Sequence, residues 1–305
     1  MPEPEPRSRR CELATPASSE RMCEKAAGSG ADLVFLDLED SVAPAAKTGA
    51  RANVVRGLTT LDWGATTRAY RINGVHTPWC HDDLIEVVGG AGAAVEIVIV
   101  PKVKAPRDVW FVDDLLTQLE RRHGLEVGRI GLEVLIEEAE ALARVEEIAG
   151  CTPRIEALIL GVGDLSASLG MRTGHIGAST RYPGDVWHHA RARMIAAARA
   201  AGVDPIDGPY ANFGNADGYR DQCAWSATLG AVGKWCIHPS QVPIANEVYA
   251  PTADEIERAT SVVTAVREAE ERGDGAANVG GVMVDAATTR VFEVVLERAR
   301  LCGLA

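Results

Sequence analysis

The chain has 305 residues, 47% of them hydrophobic, with 31 Lys and Arg against 43 Asp and Glu for a formal charge of −12. That length can bury one large α/β barrel or two ordinary domains, and the acidic balance argues against nucleic acid as a partner, because phosphate binding needs a basic face. No apolar run is long enough to span a bilayer, and no apolar segment follows the basic N-terminus, so no signal peptide and no membrane partner are expected.

Residues 1–10 read as a short disordered arm. Short apolar strands then alternate with helical patterns. The strand candidates are 32–38 (DLVFLDL), 67–72 (TRAYRI), 95–100 (VEIVIV), 130–136 (IGLEVLI), 155–161 (IEALILG), 203–206 (VDPI) and 230–237 (GAVGKWCI). Helical periodicity occupies 47–58, 106–122, 137–149, 184–201 and 215–228. Apolar strands buried on both faces and separated by helices describe a parallel sheet. Seven or eight such units over 11–249 favour a closed (β/α)8 TIM barrel, and no GxGxxG follows the first strand candidate to argue for a dinucleotide fold. The alternative is an open sheet with a second domain. Beyond 250 the texture changes to a Thr-capped charged helix, a Gly-rich break (GAANVGG), a short extended piece and a final helix. This C-terminal helical extension over 250–305 has the make-up of a lid.

The seven cysteines form no CxxC pair and have no His at metal-ligand spacing. They fit reduced cytosolic thiols and a cytoplasmic chain, and give no support to structural zinc.

Barrel enzymes place their chemistry at the C-terminal ends of strands. LVFLDLEDSVAP ends in three carboxylates, Asp37, Glu39 and Asp40, whose repulsion calls for a cation or a proton among them unless the turn is simply solvated. Later strand ends deliver Arg71 with Asn73, then Lys102, then Glu137, then Asp164. Glu137 and Asp164, on neighbouring strands, suit Mg²⁺, which takes hard oxygen ligands and keeps water. Equally, each can cap the helix that follows. Arg71 can hold an oxygen that becomes negative during reaction, or form a structural salt bridge to an acid of the first strand. Lys102 could form a Schiff base, although its neighbours, Lys104 among them, resemble a rim loop. A Ser-His-Asp reading fails for want of a GxSxG elbow. YANFGN and GKWCIHPS have the Gly and aromatic content of ligand-facing loops.

Together DLVFLDLEDSVAPAAKTGAR, YRINGVHTPWCHDDL, VPKVKAPRDV, LIEEAEAL, LILGVGDLSASLG, IDGPYANFGNADGYR and VGKWCIHPSQVPIANEVYAPT resemble the citrate lyase β-subunit-like (HpcH/HpaI aldolase) superfamily, and within it the malyl-CoA lyase branch. The resemblance runs in order along nearly the whole chain. It implies a TIM barrel, Mg²⁺ (or Mn²⁺) as cofactor, and cleavage of malyl-CoA to acetyl-CoA and glyoxylate, with β-methylmalyl-CoA giving propionyl-CoA and glyoxylate. It also implies acyl-CoA and 2-oxo-acid partners and a homotrimer or homohexamer. The family's metal pair falls on Glu137 and Asp164, its active-site arginine on Arg71, and its C-terminal catalytic aspartate on Asp285 in GGVMVDAA. Glu39 and Asp40 would hold metal-bound waters or orient Arg71, with Asp37 the structural member of the three. The coenzyme A candidates are Pro16, Arg21 and Lys25; here Pro16, Ala17, Ser18 and Ser19 stand where relatives carry Pro-Gly-Ser-Asn. Three other readings keep the scaffold: malyl-CoA thioesterase, citramalyl-CoA lyase, and a non-catalytic CoA-binding subunit.

Overall fold

The computed structural model describes residues 6–172 and 184–305. They form two compact units, Arg9–Asn246 and Glu247–Ala305 with Pro6–Ser8.

The first unit is a closed barrel of eight parallel strands in sequence order: β1 (Cys11–Pro16), β2 (Leu33–Asp37), β3 (Thr67–Arg71), β4 (Ile97–Val100), β5 (Gly131–Ile136), β6 (Ile155–Leu160), β7 (Asp204–Asp207) and β8 (Gly233–Cys236). It is the (β/α)8 barrel expected from the strand–helix alternation. Every residue of β2, β4, β5, β6 and β8 is buried, because helices cover the outside and side chains fill the inside. Alternation with a period of two sends Phe35, Ile99, Leu135, Ile159 and Trp235 into one interior cluster. On β5 the same period stacks Glu133, Leu135 and Glu137 in a single inward column from floor to mouth. Polar chemistry therefore sits at both ends of an apolar plug.

The sequence reading missed β1. CELATP carries Glu12 and ends in Pro16, so it lacks the β-branched run of the other strands, and the strand at 32–38 is the second of the barrel. Helices Glu20–Ala27 and Cys80–Ala91 were also missed, and the helix expected over 137–149 is two short helices, Ala139–Ala143 and Val145–Ala149, meeting at Arg144. The helix over Pro106–Arg122 has the expected bounds. All seven cysteines are free.

The disordered arm expected over 1–10 does not extend through Arg9 and Arg10. Residues 1–5 lie outside the described residues, but Arg9 is buried and Arg10 is paired with Asp32 at 2.7 Å. Arg9 plugs the floor of the barrel. Its Nε donates to Glu133 Oε1 at 3.0 Å and its Nη1 to Asp204 Oδ2 at 3.3 Å, and Nη2 pairs with Glu156. Glu12, fully buried beside them, accepts from Trp235 Nε1 at 2.8 Å. Glu12 Oε1 and Glu133 Oε2 have no other donor. Burial, reinforced by the facing Glu133, pushes Glu12 well above the usual carboxyl range, so it keeps a proton that the pair can share.

In the second unit, helix Ala253–Glu271 opens with a capping box in which Thr252 accepts from the Glu255 amide. Strands β9 (Ala276–Val279) and β10 (Val282–Asp285) form an antiparallel hairpin where only a short extended piece was expected, and helix Ala286–Leu301 follows. Val262, Val266 and Val284 make its small core, with Phe292 packed against it.

Candidate active site at the barrel mouth

The strand ends bring Asp37, Glu39, Asp40, Arg71, Lys102, Glu137 and Asp164 to the same mouth. Arg71, the last residue of β3, faces inward like Ala69 two residues before it. Its guanidinium lies 5.5 Å from the centre of the Trp235 ring, on the aromatic top of the core. Nε and Nη2 donate to the two oxygens of Asp37, both at 2.7 Å. The salt bridge weighed from the sequence thus exists, and Asp37 is the structural acid. Ser41 Oγ also donates to Asp37, at 2.5 Å. Burial would raise Asp37, but Arg71 and these donors outweigh it and hold the carboxyl below its usual range. The remaining Arg71 nitrogen, Nη1, lies 2.8 Å from Glu39 Oε2 and 4.0 Å from Asp40.

Glu39 Oε2 is buried and, despite that ion pair, lacks an aligned hydrogen-bond donor. Burial pushes Glu39 up to about 8 and Glu137 up to about 7, although Arg71 and Lys102 pull both the other way. Glu137 stands just beyond β5, and Gly161, at the end of β6, makes room for it: a Cβ on Gly161 would lie 2.4 Å from Glu137 Cβ. The Glu137 Oε1 accepts from the Lys102 backbone amide at 2.7 Å. Asp164, half-exposed in the first turn of helix Val162–Ser168, lies 2.5 Å from Lys102 Nζ.

Lys102 is therefore central rather than a rim residue. Among the described non-glycine residues it alone has a positive φ, 55°. Burial would lower its pKa, but Glu137, Glu39, Asp164 and Asp40 outweigh that and hold it above the usual lysine range. A protonated ammonium is a poor nucleophile, so these surroundings speak against the Schiff-base reading.

Two positioning groups escaped the sequence reading. Lys47 Nζ is buried and donates to the carbonyls of Leu38 (2.9 Å) and Glu39 (2.8 Å), fixing the turn that carries the acids. Asp83, fully buried, accepts from the Asn73 amide at 2.9 Å, from Asn73 Nδ2 at 2.7 Å and from Arg51 Nε at 2.8 Å, fixing the loop after Arg71. Asp83 lies on the helical face of Leu84, Val87 and Val88; a carboxylate on an apolar face was the available signal.

The remaining candidates belong to other elements. Pro16 ends β1, and Ser19 caps the helix whose exposed face carries Arg21 and Lys25. In the loops after β7 and β8, Phe213 and His238 stack with ring centres 4.7 Å apart. Asp285 belongs to the second unit, where it caps helix Ala286–Leu301 and accepts from the Thr288 amide at 2.9 Å. The Thr288 bonds hold its carboxyl below the usual range.

The mouth fits a divalent cation. Five carboxylates face two cationic side chains, burial raises two of the acids despite those cations, and the donors are all hard oxygens. Among the described residues no three His, Cys, Asp or Glu converge as ready-made ligands. A two-carboxylate site completed by water or substrate suits Mg²⁺ better than zinc.

A closed parallel barrel with a cluster of charged side chains gathered at its C-terminal mouth has the architecture of a (β/α)8 enzyme. The sequence profile of the HpcH/HpaI aldolase/citrate lyase family matches residues 10–239, and the chain belongs to that family. It is 41% identical to the L-malyl-CoA/beta-methylmalyl-CoA lyase of Cereibacter sphaeroides, over 99% of this chain and 98% of the relative. It is 35% identical to the (3S)-malyl-CoA thioesterase of the same organism, over 90% and 88%. Among solved structures it resembles the CitE protein of Mycobacterium tuberculosis in complex with magnesium, acetoacetate and coenzyme A. There the TM-score is 0.75 and the identity 28%, over 95% of this chain and 97% of that one.

Proposed function

We propose that the chain is a Mg²⁺-dependent carbon–carbon lyase that interconverts malyl-CoA with acetyl-CoA and glyoxylate, and β-methylmalyl-CoA with propionyl-CoA and glyoxylate. The observation that carries this is the convergence of Glu137 and Asp164 on Lys102 Nζ, at 3.8 Å and 2.5 Å, at the same mouth as Arg71. Near-full-length identity to a lyase of those two substrates supports it.

Cleavage breaks the bond between the hydroxyl-bearing carbon and the carbon α to the thioester. The hydroxyl loses its proton, the bonding pair moves onto the thioester as an enolate, and the α carbon gains a proton. Glu137 and Asp164 would hold the metal, which when bound supplies Lewis acidity to the oxygens of the glyoxylate half. Arg71, locked in orientation by Asp37, presents Nη1 to the developing enolate oxygen; a preoriented charge of this kind contributes about 3–4 kcal/mol. Glu39 and Asp40 line the approach and keep Arg71 in register. Asp285 exchanges the proton at the α carbon, as acid in cleavage and as base in condensation. Arg21 and Lys25, after the β1 turn at Pro16, offer positive charge to the phosphates of coenzyme A. We assign the chain to the cytoplasm, as a homotrimer or homohexamer; none of its described helices is long and apolar enough to cross a membrane.

Identity to a malyl-CoA thioesterase favours one second reading, in which water attacks the thioester and releases malate and free CoA. Purified protein with malyl-CoA and Mg²⁺ decides between them. Glyoxylate trapped by phenylhydrazine without free CoA is the expected result; free CoA without glyoxylate overturns the lyase assignment.

A further inference from the structure

We infer that Lys102 is the resident counter-cation of the acidic mouth, which gives up its place when the divalent metal binds and thereby sets how tightly the metal is held. This rests on the proposed metal role of Glu137 and Asp164.

Three features build the position. The first is the surrounding charge: Lys102 Nζ lies 2.5 Å from Asp164, 3.5 Å from Asp40, and 3.8 Å from both Glu39 and Glu137. The second is the backbone. A positive φ of 55° strains a side chain with a Cβ, and such strain persists only where the surroundings fix it. Here it aims the Lys102 amide at Glu137 Oε1, 2.7 Å away, while its own side chain reaches Asp164. The third is space. Gly74, in the loop after β3, would carry a Cβ only 3.2 Å from Lys102 Cβ and 3.3 Å from its Cγ, so the lysine stem passes where a larger residue would crowd it.

An ion bound to the oxygens of Glu137 and Asp164 at about 2.1 Å would lie against this ammonium. Two cations that close repel, and one of them must leave. The lysine is the mobile partner, since its four-carbon stem can carry Nζ outward toward Asp40 at the exposed edge. Without metal, the same ammonium keeps four carboxylates from repelling one another. Lys102 is in this sense a positioning residue: it preserves the ligand set and competes with the metal for it.

The test is titration of Mn²⁺ alone into metal-free protein, followed by calorimetry and by the electron spin resonance of free Mn²⁺, with melting temperatures taken alongside. The variants are Lys102→Met, Lys102→Gly and Glu137→Gln. Lys102→Gly relaxes the backbone, because glycine accepts positive φ, and keeps the amide that Glu137 uses, so it guards against a folding defect in Lys102→Met. Both lysine variants are expected to bind Mn²⁺ roughly tenfold more tightly than the parent, a difference of about 1.4 kcal/mol. They should also melt lower without metal and gain more on saturation. Unchanged or weaker Mn²⁺ affinity in both overturns the inference. If Glu137→Gln loses Mn²⁺ binding in that same experiment, the metal assignment stands and only the role of Lys102 falls. If Glu137→Gln binds as the parent does, the metal assignment itself is wrong and the inference falls with it.

Discussion

Replacing Gly161 with Ala tests the placement of Glu137 without touching a charged group. Gly161 has φ −88° and ψ 74°, which alanine can adopt, so the backbone does not resist the change. The added methyl does: it would lie 2.4 Å from Glu137 Cβ, 2.8 Å from Glu137 Oε2 and 3.3 Å from Leu135 Cδ2. The closest of these is about 1 Å short of ordinary van der Waals contact, and Leu135 is packed in the core, so Glu137 must move. Overpacking of this size costs about 1–3 kcal/mol of stability, and a shift of about 1 Å in a positioned group costs roughly a hundredfold in rate. The assay is kcat with malyl-CoA at saturating Mg²⁺, together with Mn²⁺ affinity and the melting temperature. Gly150→Ala is the control, because nothing lies within 4 Å of a Cβ built there. We expect Gly161→Ala to fold, to bind Mn²⁺ more weakly and to lose about two orders of magnitude in kcat, while Gly150→Ala changes little. A Gly161→Ala enzyme with parental kcat and Mn²⁺ affinity would refute the reasoning that the fixed position of Glu137 matters.

Asp37→Asn should destabilise the barrel by about 3–5 kcal/mol, since it leaves the buried guanidinium of Arg71 short of its bidentate partner; a denaturant midpoint matching the parent contradicts that. Asp285→Asn should stop exchange of the α protons of acetyl-CoA with solvent while the Kd for coenzyme A stays close to that of the parent, and retained exchange moves the base elsewhere. Glu12→Gln probes the floor. Folded Glu12 keeps a proton that the unfolded chain has released above the ordinary carboxyl range, so stability falls as pH rises from there toward the raised folded-state value, by up to about 1.4 kcal/mol per pH unit. Glutamine removes that slope while still accepting from Trp235; equal slopes for variant and parent, from urea melts between pH 5 and 9, would rule out the shared proton.

Much of the barrel is legible in the chain because its strands are buried on both faces and announce themselves as unbroken apolar runs. Asp37, Arg71, Glu137 and Asp164 are legible for the same reason: each is a charged residue at or just past the end of such a run, where an inward direction leads to the mouth. What is not legible depends on partners far away in sequence. CELATP becomes β1 by pairing with β2 and β8, where Glu12 sits beside Trp235 and meets Glu133 inside the barrel. Asp83 is one acid among several in CHDDLIEV until Asn73 and Arg51 meet it. Lys102 is legible as a strand-end residue but not as the hub of the site, because the four carboxylates around it follow three other strands and no local pattern records their convergence.

The plugged floor also dictates an order of assembly. Arg9 must wait for Glu133, Glu156 and Asp204, which lie 124, 147 and 195 residues further along. Glu12 waits for Trp235, 223 residues on. At a synthesis rate of about 5–20 residues per second, the first strand spends roughly 10–45 s outside the ribosome before its eighth-strand neighbour exists. For that interval β1 lacks its eighth-strand neighbour and Glu12 lacks Trp235, while Arg9 gains its first partner only with Glu133, 124 residues on. The same residues that seal the finished barrel thus keep its first strand polar and slow to pair wrongly while the rest of the chain is being made.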